Sequence, residues 1–105
     1  MRQSLINQIE FPAISIILPT HPKYPDYKLD KAHMLEIIER VEKQLIKKYS
    51  KKKTQVMMGK LNDVINRVDF SKLSQGLAIY VSPHVEKIIH LPFLVSSEKV
   101  IVDES

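Results

Sequence analysis

The chain has 105 residues, 44% of them hydrophobic and 27% charged, which is the composition of one globular domain and not of a disordered chain. Cysteine is absent, so disulfides, thiol nucleophiles, iron–sulfur clusters and cysteine-ligated zinc are excluded, and a reducing cytoplasm is the expected setting. No apolar run is long enough for a membrane span, and residues 1–10 lack the apolar core of a signal peptide.

The net charge of +4 is unevenly spread. Seven basic residues fall between Lys43 and Lys60 without an acidic one (Lys43, Lys47, Lys48, Lys51, Lys52, Lys53, Lys60). The remaining nine basic and twelve acidic residues leave the rest of the chain at −3. A polyanion would be drawn to that one segment.

Residues 1–10 show no clear period and read as a lead-in. Residues 13–18 (AISIIL) form a short β-branched run between Pro12 and Pro19, which predicts a buried strand. Pro19, Pro22 and Pro25 then recur at every third position, so residues 19–30 read as a stiff, extended loop carrying Tyr24 and Tyr27. Asp30 has the character of a helix N-cap. Met34, Ile38, Val41 and Leu45 follow at helical spacing, widened by Leu35, Ile37 and Ile46, up to about Tyr49 and Ser50. Glu36 with Arg40 and Glu39 with Lys43 stand at i,i+4 spacing.

Residues 50–53 read as a basic connector, with Thr54 capping a second helix whose face is Met57, Leu61, Val64, Ile65 and Val68. Met57 and Met58 read as core filler, with room for one of the two to be exposed. Gly59 inside this helix suggests close packing against a neighbour. The two helices form an antiparallel pair joined by a short turn. After a connection over 69–76, Leu77–Val81 reads as a strand, Ser82-Pro83-His84 as a break and Val85–Leu91 as the second strand of a hairpin. Pro92 ends it, and 99–102 is a last strand candidate.

The expected fold is a two-layer α+β domain of order β-α-α-β-β, with a final β. A small sheet of about three or four strands is covered on one face by the helix pair. Whether the first strand runs parallel or antiparallel to its neighbour is left open, so the sheet is mixed or antiparallel.

Two segments are candidates for binding. The first is Lys47-Lys48-Tyr49-Ser50-Lys51-Lys52-Lys53, where the lysines suit a phosphate backbone and Tyr49 suits stacking on a base. The second is the loop with Thr20, His21, Lys23 and Tyr24, which follows the end of a strand. Each has a plain structural alternative, a solvated helix end for the first and a rigid crossover for the second. The four histidines (His21, His33, His84, His90) lack metal-site spacing, and His33 and His84 are expected at the surface. With only Gly59 and Gly76, the chain has no phosphate-binding glycine loop and no nucleophile elbow. No catalytic residue, metal or cofactor is therefore expected. An enzyme built on Thr20, His21 and Asp26 is the outlying alternative.

The strand and loop from Ala13 to Pro22 (AISIILPTHP) resemble the opening of the bacterial proteins related to archaeo-eukaryotic release factors. Ser74–Pro83 (SQGLAIYVSP) is similar to that family's S-x-G-L-A strand with its Ser-Pro ending. Ile89-His90-Leu91-Pro92 is similar to its next short strand, and Val100–Asp103 to its link toward the following domain. The resemblance runs from about Pro12 onward. It implies the N-terminal domain of a longer protein, followed by an RNase H-like domain and often a ribosomal-protein-like third one. Related release factors and Pelota act at the ribosomal A site, which implies a ribosome or structured RNA as partner. The Asn-Ile-Lys-Ser and Gly-Gly-Gln motifs of stop-codon reading and peptide release are absent. The expected role is thus a non-catalytic, RNA-facing module, and the alternative is an interaction domain that docks on its own C-terminal domains or self-associates.

Overall fold

The computed structural model describes residues 12–20, 27–70 and 75–103. It contains β1 (Ala13–Pro19), α1 (Tyr27–Lys48), α2 (Lys51–Asn66), β2 (Gly76–Val81), β3 (Glu86–Leu91) and β4 (Lys99–Asp103). The strands form one antiparallel sheet in the order β3-β2-β1-β4. This is the strand order of a Greek key, with a helical hairpin in place of its first turn. Every neighbouring pair is antiparallel, which resolves the direction of β1.

Alternation along β1 turns Ile14, Ile16 and Leu18 inward, and the register sets them against Val81, Ile79 and Leu77 of β2. All six are at most 2% exposed. The helices cover this face with Met34, Ile37, Ile38, Val41 and Leu45 from α1 and Met57, Met58, Leu61, Val64 and Ile65 from α2. Val68 and Phe70 extend the core beyond α2, and Ile88, Val100 and Val102 close it from the edge strands. The other face presents Ile17, Ala78, Tyr80, Ile89 and Ile101.

Each edge strand is tied to one helix by an arginine. Arg67, the C-cap of α2, donates to Glu86 of β3 at 2.7 Å. Arg40 of α1 donates to Glu98, just before β4, at 2.8 Å, while His33 lies against the other oxygen of the same carboxylate. His33 is thus half-buried and engaged rather than at the open surface, whereas His84 is exposed in the hairpin turn. Glu36 stands farther from Arg40, at 4.0 Å.

Several local expectations are corrected. Helix α1 begins at Tyr27, three residues before Asp30, so Asp30 lies in the first turn and is 3% exposed. An acid in the first turn complements the helix dipole, and in sequence this looks like a cap. Helix α2 begins at Lys51, not after Thr54. Ser50 is its N-cap, with Oγ accepting from the Lys53 N–H at 3.1 Å. The basic connector is therefore the first turn of α2, and only Tyr49 and Ser50 separate the helices. Both Met57 and Met58 are buried.

Gly59 is exposed, with nothing within 4 Å of where a Cβ would stand, so it marks no close approach. Gly76 does: a Cβ there would lie 2.5 Å from Val95 Cγ2. The last strand of the hairpin begins at Glu86, because Val85 belongs to the turn, where its carbonyl accepts from the Ser82 N–H at 2.8 Å.

Candidate nucleic-acid interface

The basic segment folds into the turn of the helical hairpin. Lys47 and Lys48 occupy the last turn of α1, and Lys51, Lys52 and Lys53 the first turn of α2. All five are exposed. The two-residue connection brings these five cations to one end of the helix pair. The acids of α1 (Asp30, Glu36, Glu39, Glu42) lie at least one turn back from it, and α2 has no acid in its first turn.

The two halves of this cluster differ electrostatically. Cations at the C-terminus of α1 are stabilised by the helix dipole. Those at the N-terminus of α2 stand at its positive end, where each is disfavoured by about 0.3–1 kcal/mol at low salt. Ser50 satisfies one orphan amide there, so the helix forms in spite of its first-turn charges.

Tyr49 does not present a free ring. Its side chain packs against the core, and Lys53 Nζ lies 5.3 Å from the ring centroid. That cation–π contact is worth about 0.5–1 kcal/mol at an exposed site and uses the face a base would need. Among the described residues, Tyr49 Oη and Thr54 Oγ1 are buried without a hydrogen-bond partner. An unmade buried hydrogen bond costs about 1–3 kcal/mol, so the turn also gives up stability beneath its lysines.

The loop candidate is only partly in view. Thr20 is 5% exposed, and its N–H donates to the Gln75 carbonyl at 3.4 Å, extending the β1–β2 ladder past Gly76. It is a buried position at the end of the sheet and not a surface contact. His21, Lys23, Tyr24 and Asp26 lie outside the described residues. The structure thus assembles the lysines and removes Thr20 and the Tyr49 ring face from the exposed set.

What the sequence reading missed is the exposed apolar flank of the turn, Ile46 and Val56, respectively 57% and 50% exposed. Leu35 is likewise 49% exposed, so neither Leu35 nor Ile46 widens the buried stripe of α1, which is narrower than the sequence suggests.

The titration of Glu98 is shifted by its partners. The Arg40 hydrogen bond holds it below the ordinary carboxylate range, with the His33 and Arg40 charges adding and desolvation opposing. It supports β4 and stands apart from the lysine turn. Among the described residues, no three His, Asp or Glu side chains cluster to hold a metal ion, and no helix is long and apolar enough to cross a membrane. The chain matches no protein-family model and no curated protein at a significant level.

Proposed function

We propose that this chain is a non-catalytic, RNA- or ribosome-facing domain whose contact surface is the basic turn joining α1 and α2. The observation that carries the reading is the placement of Lys51, Lys52 and Lys53 in the first turn of α2, where their charge opposes the dipole. Stability alone favours acids at those positions, and functional sites are where local stability rules are commonly broken. The resemblance of residues 13–22 and 74–83 to release-factor-like proteins supports the same assignment. On this reading the chain is the N-terminal domain of a longer cytoplasmic protein, with its own C-terminal domains as further partners.

The test is binding to ribosomes and structured RNA at about 50 and 200 mM salt, with the wild type and a variant carrying Glu at positions 47, 48, 51, 52 and 53. Five neutralised phosphates imply a loss of roughly 100- to 500-fold in wild-type affinity across that salt range. The variant should lose binding across RNA sequences alike. The smaller change Lys51→Glu with Lys52→Glu should raise thermal stability by about 1 kcal/mol while weakening RNA binding. Equal binding by wild type and variant, or no wild-type binding at the lower salt, would remove the turn from the site.

A second reading, a domain that docks on other protein surfaces, is favoured by the apolar outer side of the sheet. Ile89 and Ile101 are each about half exposed there, and Phe93 and Leu94 in the β3–β4 link are 58% and 75% exposed. RNA binding that the lysine variant abolishes favours the first reading, and protein association that Phe93→Asp with Leu94→Asp abolishes, in the absence of RNA binding, the second.

A further inference from the structure

The two edges of the sheet are not equally protected. Along β3, the side chains turned toward the helices are Glu86, Ile88 and His90, and Pro92 follows the strand. Inward polar groups and a flanking proline are the usual means of blocking an edge. Along β4, the inward residues are Val100 and Val102, and the outward ones are Lys99, Ile101 and Asp103. Nothing among the described residues pairs with its free side.

The sequence of this open edge, KVIVD, is self-complementary when reversed. Two copies running antiparallel and centred on Ile101 set Lys99 against Asp103 of the second copy, Val100 against Val102, and Ile101 against itself. A residue-centred register keeps each side chain on its own face, so both pairs of opposite charges fall on the outer face beside Ile101, which is 48% exposed. It also satisfies the backbone whichever set of β4 amides points outward, because the centre is then either a hydrogen-bonded or a non-hydrogen-bonded pair. The same operation on β3 fails. Centring on Ile88 or on Ile89 sets Lys87 against an apolar residue and pairs no charges of opposite sign on the outer face.

We infer that β4 is the site of homodimerisation, with a second copy of this chain adding its own β4 antiparallel to give a continuous eight-stranded sheet about a two-fold axis. The interface is isologous and short, so the dimer is weak and concentration-dependent. This inference is independent of the RNA-facing reading, because the lysine turn takes no part in it.

The experiment is sedimentation velocity over a wide concentration range with wild type, Lys99→Asp, Asp103→Lys and the double exchange, each checked for native circular dichroism. Each single change sets like charges directly opposite at both ends of the interface and should weaken association at least about tenfold. The double exchange restores opposite pairs and should restore the dimer. Mixing the two single variants should give a heterodimer, since one then carries two acids and the other two lysines. A wild type that stays monomeric at every concentration overturns the inference. So does a dimer whose affinity is unmoved by the single changes, since it would use another surface.

Discussion

Replacing Glu98 by Gln should loosen the attachment of β4 to α1 in a way that depends on pH. The carboxylate accepts from Arg40 at 2.8 Å and faces His33 on its other oxygen. Its side chain is 29% exposed and that of Arg40 51%, so solvent screens the pair. Exposed ion pairs contribute about 0.2–1 kcal/mol, and hydrogen bonds to a charged group about 1.5–3. A partly screened bond of this kind should be worth about 1 kcal/mol. In urea, that is a fall in midpoint of roughly 0.3–1 M for a small domain.

The sign of the pH effect follows from the direction of the shift. Arg40 holds the folded carboxyl below its ordinary value, so in the window between the two values the unfolded chain binds more protons. The contribution is complete above the ordinary carboxylate range and is lost as pH falls through the lowered value. Wild type and variant should therefore differ by about 1 kcal/mol at neutral pH and converge in acid, below the lowered value. A difference that persists unchanged in acid would show that Gln acts through packing, and the ionic account of the clamp would be wrong.

The two glycines give opposite expectations. Gly59→Ala meets open space inside a helix and should stabilise by about 1 kcal/mol, raising the melting temperature. Gly76→Ala places a methyl group 2.5 Å from Val95 Cγ2 and 3.2 Å from Leu91, and should destabilise by about 1–3 kcal/mol in the same assay. Ser50→Ala removes the acceptor for the Lys53 N–H and should lose about 1 kcal/mol, most visible as faster amide exchange at residues 51–53. Protection left unchanged in that variant would mean that α2 is held by packing of Thr54 and Met57 and not by its cap.

The architecture was legible because its signals are local. A β-branched run between two prolines marks β1, and apolar residues at helical spacing mark both helices. The boundaries were less so. Residues 50–54 (SKKKT) offer two capping residues one helical turn apart, and both produce an acceptable helix. Ser50 is used because α1 stops at Lys48, which turns Thr54 into the buried side. The lysine cluster was visible as composition, but its opposition to the α2 dipole depends on that same boundary.

Long-range relations left no trace in the sequence. Glu98 meets Arg40 from 58 positions away, and Thr20 is buried only because Gln75 comes to lie across from it. The strand order, which decides that β4 is an edge, rests on pairings of the same kind.

That strand order bears on how the domain is made. Strand β1 lies inside the sheet, yet both its partners, β2 and β4, come from the far end of the chain. The helical hairpin between them closes on local contacts and is free to form early, whereas β1 must wait for non-local pairing, the slow kind. In synthesis from the N-terminus, AISIIL leaves the ribosome before either of its partners, and β4 follows β2. A β-branched run without internal charge, held open that long, is the segment of this chain most exposed to misassociation before folding is complete.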